Sequence, residues 1–432
     1  MPISVYTQDK YEGIIKDFER IVERHDFHGS IMISRDEEVL FQKAYGLANR
    51  EQKIRNTIDT KYTYASMGKM FTGVAIMQLV EKGQIVLDDK LINIWPDYPN
   101  KKVAEQITIH QLLTHTAGIN GLFQMASEDH LSDLKDYLPL FVDKDLEFEP
   151  GSRMSYSNGG YLLLGLIIEE VTGDSYFEYL DKNIFLPAGM TSTDLILSNA
   201  SDEFAINYTT WISMGQGEAE IMDYGHDGNS AGGGYATVRD FTQFGAALIN
   251  GKLLLPESVK KLTKGYVDGR GRGQYGYGFY VNQIEELKMF GHGGGGPGVN
   301  GEFQNFEDEK LMISILSNSD PHTSTFLKDA FTGLLLKKAG LMPQSQRDGQ
   351  VIFELEGYED AKFVTVQGAF TNGNMFKYPL RRDNDSWITQ IDLPPGKHLY
   401  RFIVDGTSIS DPNNPNSMRA RGGLVISEIT VE

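Results

Sequence analysis

A serine and a lysine three residues apart open the stretch Tyr64-Ala65-Ser66-Met67-Gly68-Lys69-Met70. On a helix, residues at i and i+3 share one face about a turn apart. A serine hydroxyl is a poor nucleophile at neutral pH until a base takes its proton. A lysine serves as that base when burial strips its hydration and lowers its pKa. A helix N-terminus adds backbone N–H groups and positive partial charge where an oxyanion would develop. Alone, the four-residue pattern also fits a helix cap followed by an exposed lysine.

Other patterns carry less. Gly228-Asn229-Ser230-Ala231-Gly232 fits the G-x-S-x-G nucleophile elbow, which requires an apolar strand before it and a helix after it. Here Asp223-Tyr224-Gly225-His226-Asp227 precedes it and Gly233-Gly234 follows, so Ser230 is expected in a loop beside a site. Gly291-His292-Gly293-Gly294-Gly295-Gly296 and Gly271-Arg272-Gly273-Gln274-Tyr275-Gly276 fit G-x-G-x-x-G, but neither opens a helix, which argues against dinucleotide binding. The nine histidines form no H-E-x-x-H or similar spacing, so no metal is expected.

These residues need positioning elements. Ser66 to Lys82 reads as a helix stopping at Gly83, with apolar Met70, Val74, Ala75, Leu79 and Val80. Residues 9–24 place Ile14, Ile15, Phe18, Ile21 and Val22 at amphipathic helical spacing. Ile31-Met32-Ile33 and Val39-Leu40-Phe41 flank a polar turn and predict a hairpin. Helices are expected near Ile109–Leu113, Gly160–Val171, Arg239–Ile249 and Thr323–Lys338, and strands near Tyr277–Val281, Gly301–Phe306 and Leu311–Leu316. Strands at both ends of a helical middle predict one sheet built from the two chain ends. Gly340 to Gly349 has linker composition. Beyond it, Phe363–Val366, Trp387–Ile391 and Leu399–Val404 alternate with turn-rich pieces, as in a small β-sandwich. The expected domains are 1–340, a linker at 341–349, and 350–432.

Composition bounds the partners. The chain has 432 residues, enough for two packed units. Its 59 acidic and 40 basic residues give a formal charge of −19, which repels phosphate backbones and anionic lipids. Neither nucleic acid nor a membrane is therefore expected as a partner. The absence of cysteine removes disulfides and thiol nucleophiles and leaves the redox compartment open. The apolar run Leu162–Ile168 is far below the roughly 18 residues of a membrane span. Met1-Pro2-Ile3-Ser4-Val5-Tyr6 has no export pattern. The expectation is a soluble protein, cytoplasmic as written, or periplasmic or secreted if an export signal was removed.

Three more elements follow Ser66 in order: Leu112-Leu113-Thr114-His115-Thr116-Ala117-Gly118, Tyr156-Ser157-Asn158, and Phe290-Gly291-His292-Gly293-Gly294-Gly295. With S-x-x-K, the set resembles the serine β-lactamase-like family of class C β-lactamases, D-Ala-D-Ala carboxypeptidases, D-aminopeptidases and class VIII esterases, over about residues 10–338. The resemblance implies an α/β (α+β) fold of the β-lactamase/penicillin-binding-protein type, an antiparallel sheet flanked by helices. It implies that Ser66 is acylated, that Lys69 and Tyr156 share the base and acid work, and that Asn158 bonds Lys69 or the substrate amide. It also implies that the N–H groups of Ser66 and Gly295 bind the oxyanion, with His292, Gly294 and Gly295 bordering the substrate. His115 is expected to hold a loop. No cofactor is implied.

The third element departs from the β-lactamases, which usually carry Lys-Thr-Gly where this chain has His292-Gly293-Gly294. A histidine pulls less on a substrate carboxylate, and the chain shows no counterpart of the class A deacylating glutamate. The expected activity is an esterase, or a peptidase or amidase for small ester or D-amino-acid amide substrates, ahead of a β-lactamase. A rival of another class is a penicillin-recognising or glucan-binding module with little turnover. Substrate choice is expected to depend on loops at 120–148 and 196–230, with Trp211 and Tyr224.

Residues 350–432 resemble the glycogen-binding domain of AMP-activated kinase β subunits and family 48 carbohydrate-binding modules. The resemblance rests on Val364-Thr365-Val366-Gln367-Gly368-Ala369-Phe370-Thr371-Asn372, the run Leu393 to Gly406, and Asp411-Pro412. It implies an immunoglobulin-like β-sandwich. Such modules stack sugars on two tryptophans, and the matching positions are Gly373 and Ser408. Arg401 stands in for a lysine, Trp387 falls at a core position, and Met375 with Phe376 offers a displaced platform. A structural or homo-oligomer-forming sandwich is expected ahead of weak carbohydrate binding, since aromatic stacking supplies much of such binding.

Overall fold

The structure, a computed structural model, describes residues 4–23, 27–36, 38–119, 133–199, 203–209, 219–223, 227–269, 273–284, 286–320, 323–338, 350–368, 378–383, 385–393, 396–419 and 425–431. The chain divides into two units, His25–Asn207 with Met222–Ser319, and Met1–Arg24, Tyr208–Ile221 and Asp320–Glu432.

The first unit is built on an antiparallel sheet of β1 (Gly29–Arg35), β2 (Glu38–Tyr45), β3 (Val267–Asp268), β4 (Gln274–Tyr275), β5 (Tyr280–Ile284), β6 (Leu287–Gly296), β7 (Val299–Phe306) and β8 (Leu311–Ser317). Its order is β2-β1-β8-β7-β6-β5-β4-β3. Early and late strands meet between its second and third positions, where Gly29 pairs with Ser317 and Arg35 with Leu311. β1, β7 and β8 are almost wholly buried; β8 accordingly reads as a nearly continuous apolar run, whereas β7 buries the polar Asn300, Glu302, Gln304 and Asn305.

The segment expected as a strand from Tyr277 begins instead at Tyr280. Gly278 has φ +86, and a Cβ there would collide with the Lys69 carbonyl. The left-handed residue that lets the chain skirt Lys69 also ends the extended run.

Helices α1 (Ser4–Glu23), α2 (Lys69–Glu81), α3 (Ile109–Leu113), α4 (Asn158–Thr172), α5 (Val238–Ile249) and α6 (Thr323–Lys338) are the main ones the site needs or the ends of the chain supply. α2 is apolar on nearly every side and buries Lys69 to Leu79 without interruption, as a central helix must. A capping box at Thr108 and Gln111 starts α3, and Ser157 caps α4 through the Gly160 N–H.

In the second unit, α1 buries Tyr11, Ile14, Phe18 and Val22. Phe18 meets Phe331 of α6 edge-on at 5.2 Å. The C-terminal part is a β-sandwich. One sheet orders Gln350–Glu356, Ser386–Asp392 and Arg381–Asp383; the other joins Tyr378–Pro379, Val364–Gly368, Gly396–Val404, Val425–Val431 and Ser417–Arg419. Phe353, Leu355, Val364, Val366, Trp387 and Phe402 from both sheets share one core. Trp387 is buried, as its position implied, and its indole N–H donates to the Tyr358 carbonyl at 3.1 Å. Arg401 donates twice to Gln367 Oε1, at 2.9 and 2.7 Å. Gly373, Met375, Phe376, Trp211 and Tyr224 lie outside the described residues.

Candidate active site

Ser66 sits in a tight 3₁₀ turn, Ala65–Gly68, that runs directly into α2. In such a turn side chains three apart eclipse, so Lys69 at the first α-helical position stands over Ser66. The entry is strained: Ala65 has φ +48, which costs an L-residue about 1–2 kcal/mol. Its neighbours hold it there. Strand residues Tyr62–Thr63 pair with Tyr235–Ala236, and the Gly233 N–H donates to the Ala65 carbonyl at 3.1 Å. Gly232, at φ +144, lies so close that a Cβ would collide with the same carbonyl.

Lys69 is completely buried. Its Nζ lies 3.4 Å from Ser66 Oγ and donates to Asn158 Oδ1 at 2.9 Å and to the Ala231 carbonyl. It also sits 4.8 Å from the ring centre of Tyr156 and 5.4 Å from that of Tyr161. Burial holds the amine well below its ordinary value, because no bulk water remains to solvate the ammonium.

Tyr156 and Asn158 flank the capping Ser157, so one short segment brings both to Lys69. His115, at φ +59, supports that segment. Its Nδ1 accepts the Ser157 N–H at 3.1 Å, and its ring lies 4.3 Å from that of Tyr156.

The opposite wall is β6. Its pairing with β5 stops at the Tyr280–Gly291 pair, while that with β7 runs on to Gly296. A Cβ at Gly294 would collide with the Tyr64 carbonyl, so only glycine lets β6 approach the turn carrying Ser66 this closely. Gly295 is exposed. His292 is buried, with Nε2 3.2 Å from the Tyr275 hydroxyl and Nδ1 2.5 Å from the Gly293 carbonyl. Its ring centre is 6.4 Å from that of Tyr156.

Ser66, Lys69, Tyr156 and Asn158 thus converge, with His292 and Gly294 alongside. Ser230 does not join them as a nucleophile. Its side chain is buried against α4, 3.5 Å from the Leu162 carbonyl, where a Cβ on Gly165 would collide with it. Its own carbonyl accepts from Thr72 Oγ1 at 2.7 Å, which steadies the loop that turns the next carbonyl, Ala231, onto Lys69. Sequence reasoning missed that carbonyl, Tyr161 and Tyr275. A backbone oxygen has no residue-type signature, but the repeated Tyr-Gly of Tyr275-Gly276-Tyr277-Gly278 was a visible cue for close packing. Among the described residues no group of three or more His, Asp or Glu side chains is placed to hold a metal ion.

Residues 14–337 match the beta-lactamase family, and residues 351–432 match the glycogen recognition site of AMP-activated protein kinase. Penicillin-binding protein 4* of Bacillus subtilis (strain 168) is 28% identical over 335 residues, 73% of each chain. The octameric penicillin-binding protein homologue from Pyrococcus abyssi aligns with TM-score 0.68 at 23% identity, over 100% of this chain and 97% of that one. D-amino acid amidase from Ochrobactrum anthropi SV3, complexed with D-phenylalanine, aligns with TM-score 0.66 at 22% identity, over 76% of this chain and 99% of that one. At these identities the two solved structures speak to the fold alone. The chain belongs to the beta-lactamase family of serine hydrolases and carries a C-terminal glycogen-recognition-type β-sandwich.

Proposed function

We propose that the protein hydrolyses small esters or D-amino-acid amides through an acyl-enzyme on Ser66. The observation that carries this is the buried Lys69 amine, 3.4 Å from Ser66 Oγ, with acceptors at Asn158 and Ala231. A neutral amine has two hydrogens and one lone pair. With the hydrogens on those acceptors, the lone pair faces Ser66 and takes its proton. Ser66 Oγ bonds to the substrate carbonyl carbon while the N–H groups of Ser66 and Gly295 hold the oxyanion. Collapse expels an alcohol or amine, which takes a proton through Tyr156. Water, deprotonated by Tyr156, then cleaves the acyl-serine bond and releases the carboxylic acid, while Lys69 returns its proton to Ser66 Oγ and restores the hydroxyl. His292 turns both ring nitrogens inward, to Tyr275 and Gly293, and brings no permanent cation to the substrate side. Substrates without a carboxylate beside the scissile bond fit that wall best. This is the ground for ranking an esterase or amidase above a β-lactamase.

The test is labelling by a fluorophosphonate and hydrolysis of a p-nitrophenyl ester. Ser66→Ala is expected to abolish both, while Ser230→Ala keeps the label. Equal labelling of Ser66→Ala and wild type would remove Ser66 as nucleophile. Faster turnover of nitrocefin than of any ester or D-aminoacyl amide would favour the β-lactamase reading.

The match at residues 351–432 favours a second role, carbohydrate attachment by a separate 350–432 domain after a 341–349 linker. Retention on amylose that survives Ser66→Ala would support it. An octameric relative likewise supports self-association, which sedimentation would test.

A further inference from the structure

We propose that Asn300 fixes the peptide plane presenting the Gly295 N–H to the oxyanion, and so acts as a positioning residue for acyl transfer. This rests on the reading of Ser66 as nucleophile with Gly295 as an oxyanion donor. β6 runs through Gly293-Gly294-Gly295-Gly296. Gly294 allows close approach to the Tyr64 carbonyl, but glycine backbone is the freest to rotate. β7 pairs along the run to Gly296, and a side-chain bond to one of its carbonyls adds a further restraint on that peptide plane.

Asn300 is placed to make that bond. It is buried on β7, opposite Gly295 in the register, and its Nδ2 donates to the Gly294 carbonyl at 3.3 Å. That carbonyl therefore points toward β7. A planar trans peptide directs the following N–H the other way. The Gly295 N–H thus faces the side of β6 on which pairing with β5 stops at Gly291. Carbonyl and N–H belong to one rigid plane, so gripping the first aims the second. Rotation of that plane would withdraw the donor without moving Ser66, Lys69 or Tyr156.

The test uses the full chain carrying Asn300→Leu, similar in volume but without the amide donor. It is assayed for p-nitrophenyl ester hydrolysis and for inhibition by phenylboronic acid. Ser66 Oγ adds to the trigonal boron, its proton passes to Lys69 or Tyr156, and the resulting tetrahedral boronate places an oxygen where the oxyanion would sit. A positioning role predicts kcat/KM about 10- to 100-fold lower and a boronate Ki raised by a similar factor, with KM and melting temperature little changed. If Asn300→Leu does not fold, Asn300→Asp keeps the shape, removes the donor and is read the same way. Unchanged boronate affinity with normal fluorophosphonate labelling overturns the role of Asn300 alone. Failure of wild-type Ser66 to take the label removes the nucleophile, and the role of Asn300 with it.

Discussion

The Tyr275 hydroxyl lies 3.2 Å from His292 Nε2, and the two side chains fix each other's hydrogens. The other ring nitrogen, Nδ1, faces the Gly293 carbonyl, which can only accept. Nδ1 therefore carries the hydrogen, Nε2 is the acceptor, and the tyrosine donates. Tyr275 is buried, and burial pushes its phenol well above its ordinary value, which keeps it a donor.

Tyr275→Phe is expected to leave Nε2 without that donor at a cost of about 1–3 kcal/mol in stability. Nitrogen NMR of the imidazole should show Nδ1–H in both proteins, held by the Gly293 carbonyl, with the Nε2 resonance shifted in the variant by loss of its donor. An Nε2 resonance unchanged by the substitution would refute the pairing.

The buried amine predicts two pH dependences. Acidification gives Lys69 its proton and removes the lone pair that faces Ser66, so kcat/KM should fall on the acid side. The unfolded chain keeps that proton up to its ordinary value of 10.5. Between the depressed folded value and 10.5, the unfolded state binds more protons, so stability should rise with pH by up to about 1.4 kcal/mol per unit. Lys69→Met should lose this slope and all turnover while still folding. Urea titrations at several pH values read the difference, and parallel slopes in the two proteins would contradict a neutral buried amine.

Gly294→Ala places a methyl group against the Tyr64 carbonyl. The strand or the Ser66 turn must give way, at about 1–3 kcal/mol for an overpacked contact. Ester hydrolysis should fall at least about 100-fold, because displacements of about 1 Å cost that much. Wild-type kcat/KM in a folded variant would show that β6 does not border the reaction.

The paired serine and lysine were legible because their spacing is a property of local geometry, and Ile109–Leu113 and Thr323–Lys338 are helices over the residues expected. The strain at Ala65 was not legible, since alanine ordinarily avoids a positive φ and only the surrounding glycines impose it. Nor was the role of Ala231, which acts through its main chain. Tyr161 falls within the helix expected near Gly160–Val171 with no signal of its own, yet its ring lies 5.4 Å from the Lys69 amine. In the C-terminal part, Gln350–Glu356 and Val425–Val431 are strands not individually expected. The first alternates buried Val351, Phe353 and Leu355 with outward Ile352 and Glu354, but its apolar Ile352 blurs the period.

Because β1 lies between β2 and β8, a ribosome releases it long before its second neighbour exists. The Ser317 hydroxyl closes on the His28 carbonyl across 289 residues. During synthesis the nascent β1–β2 hairpin carries an apolar edge with nothing to pair with, a species prone to stick to other chains. The closure of β1 onto β8 thus belongs to the late and slow steps of folding, as long-range strand pairing does.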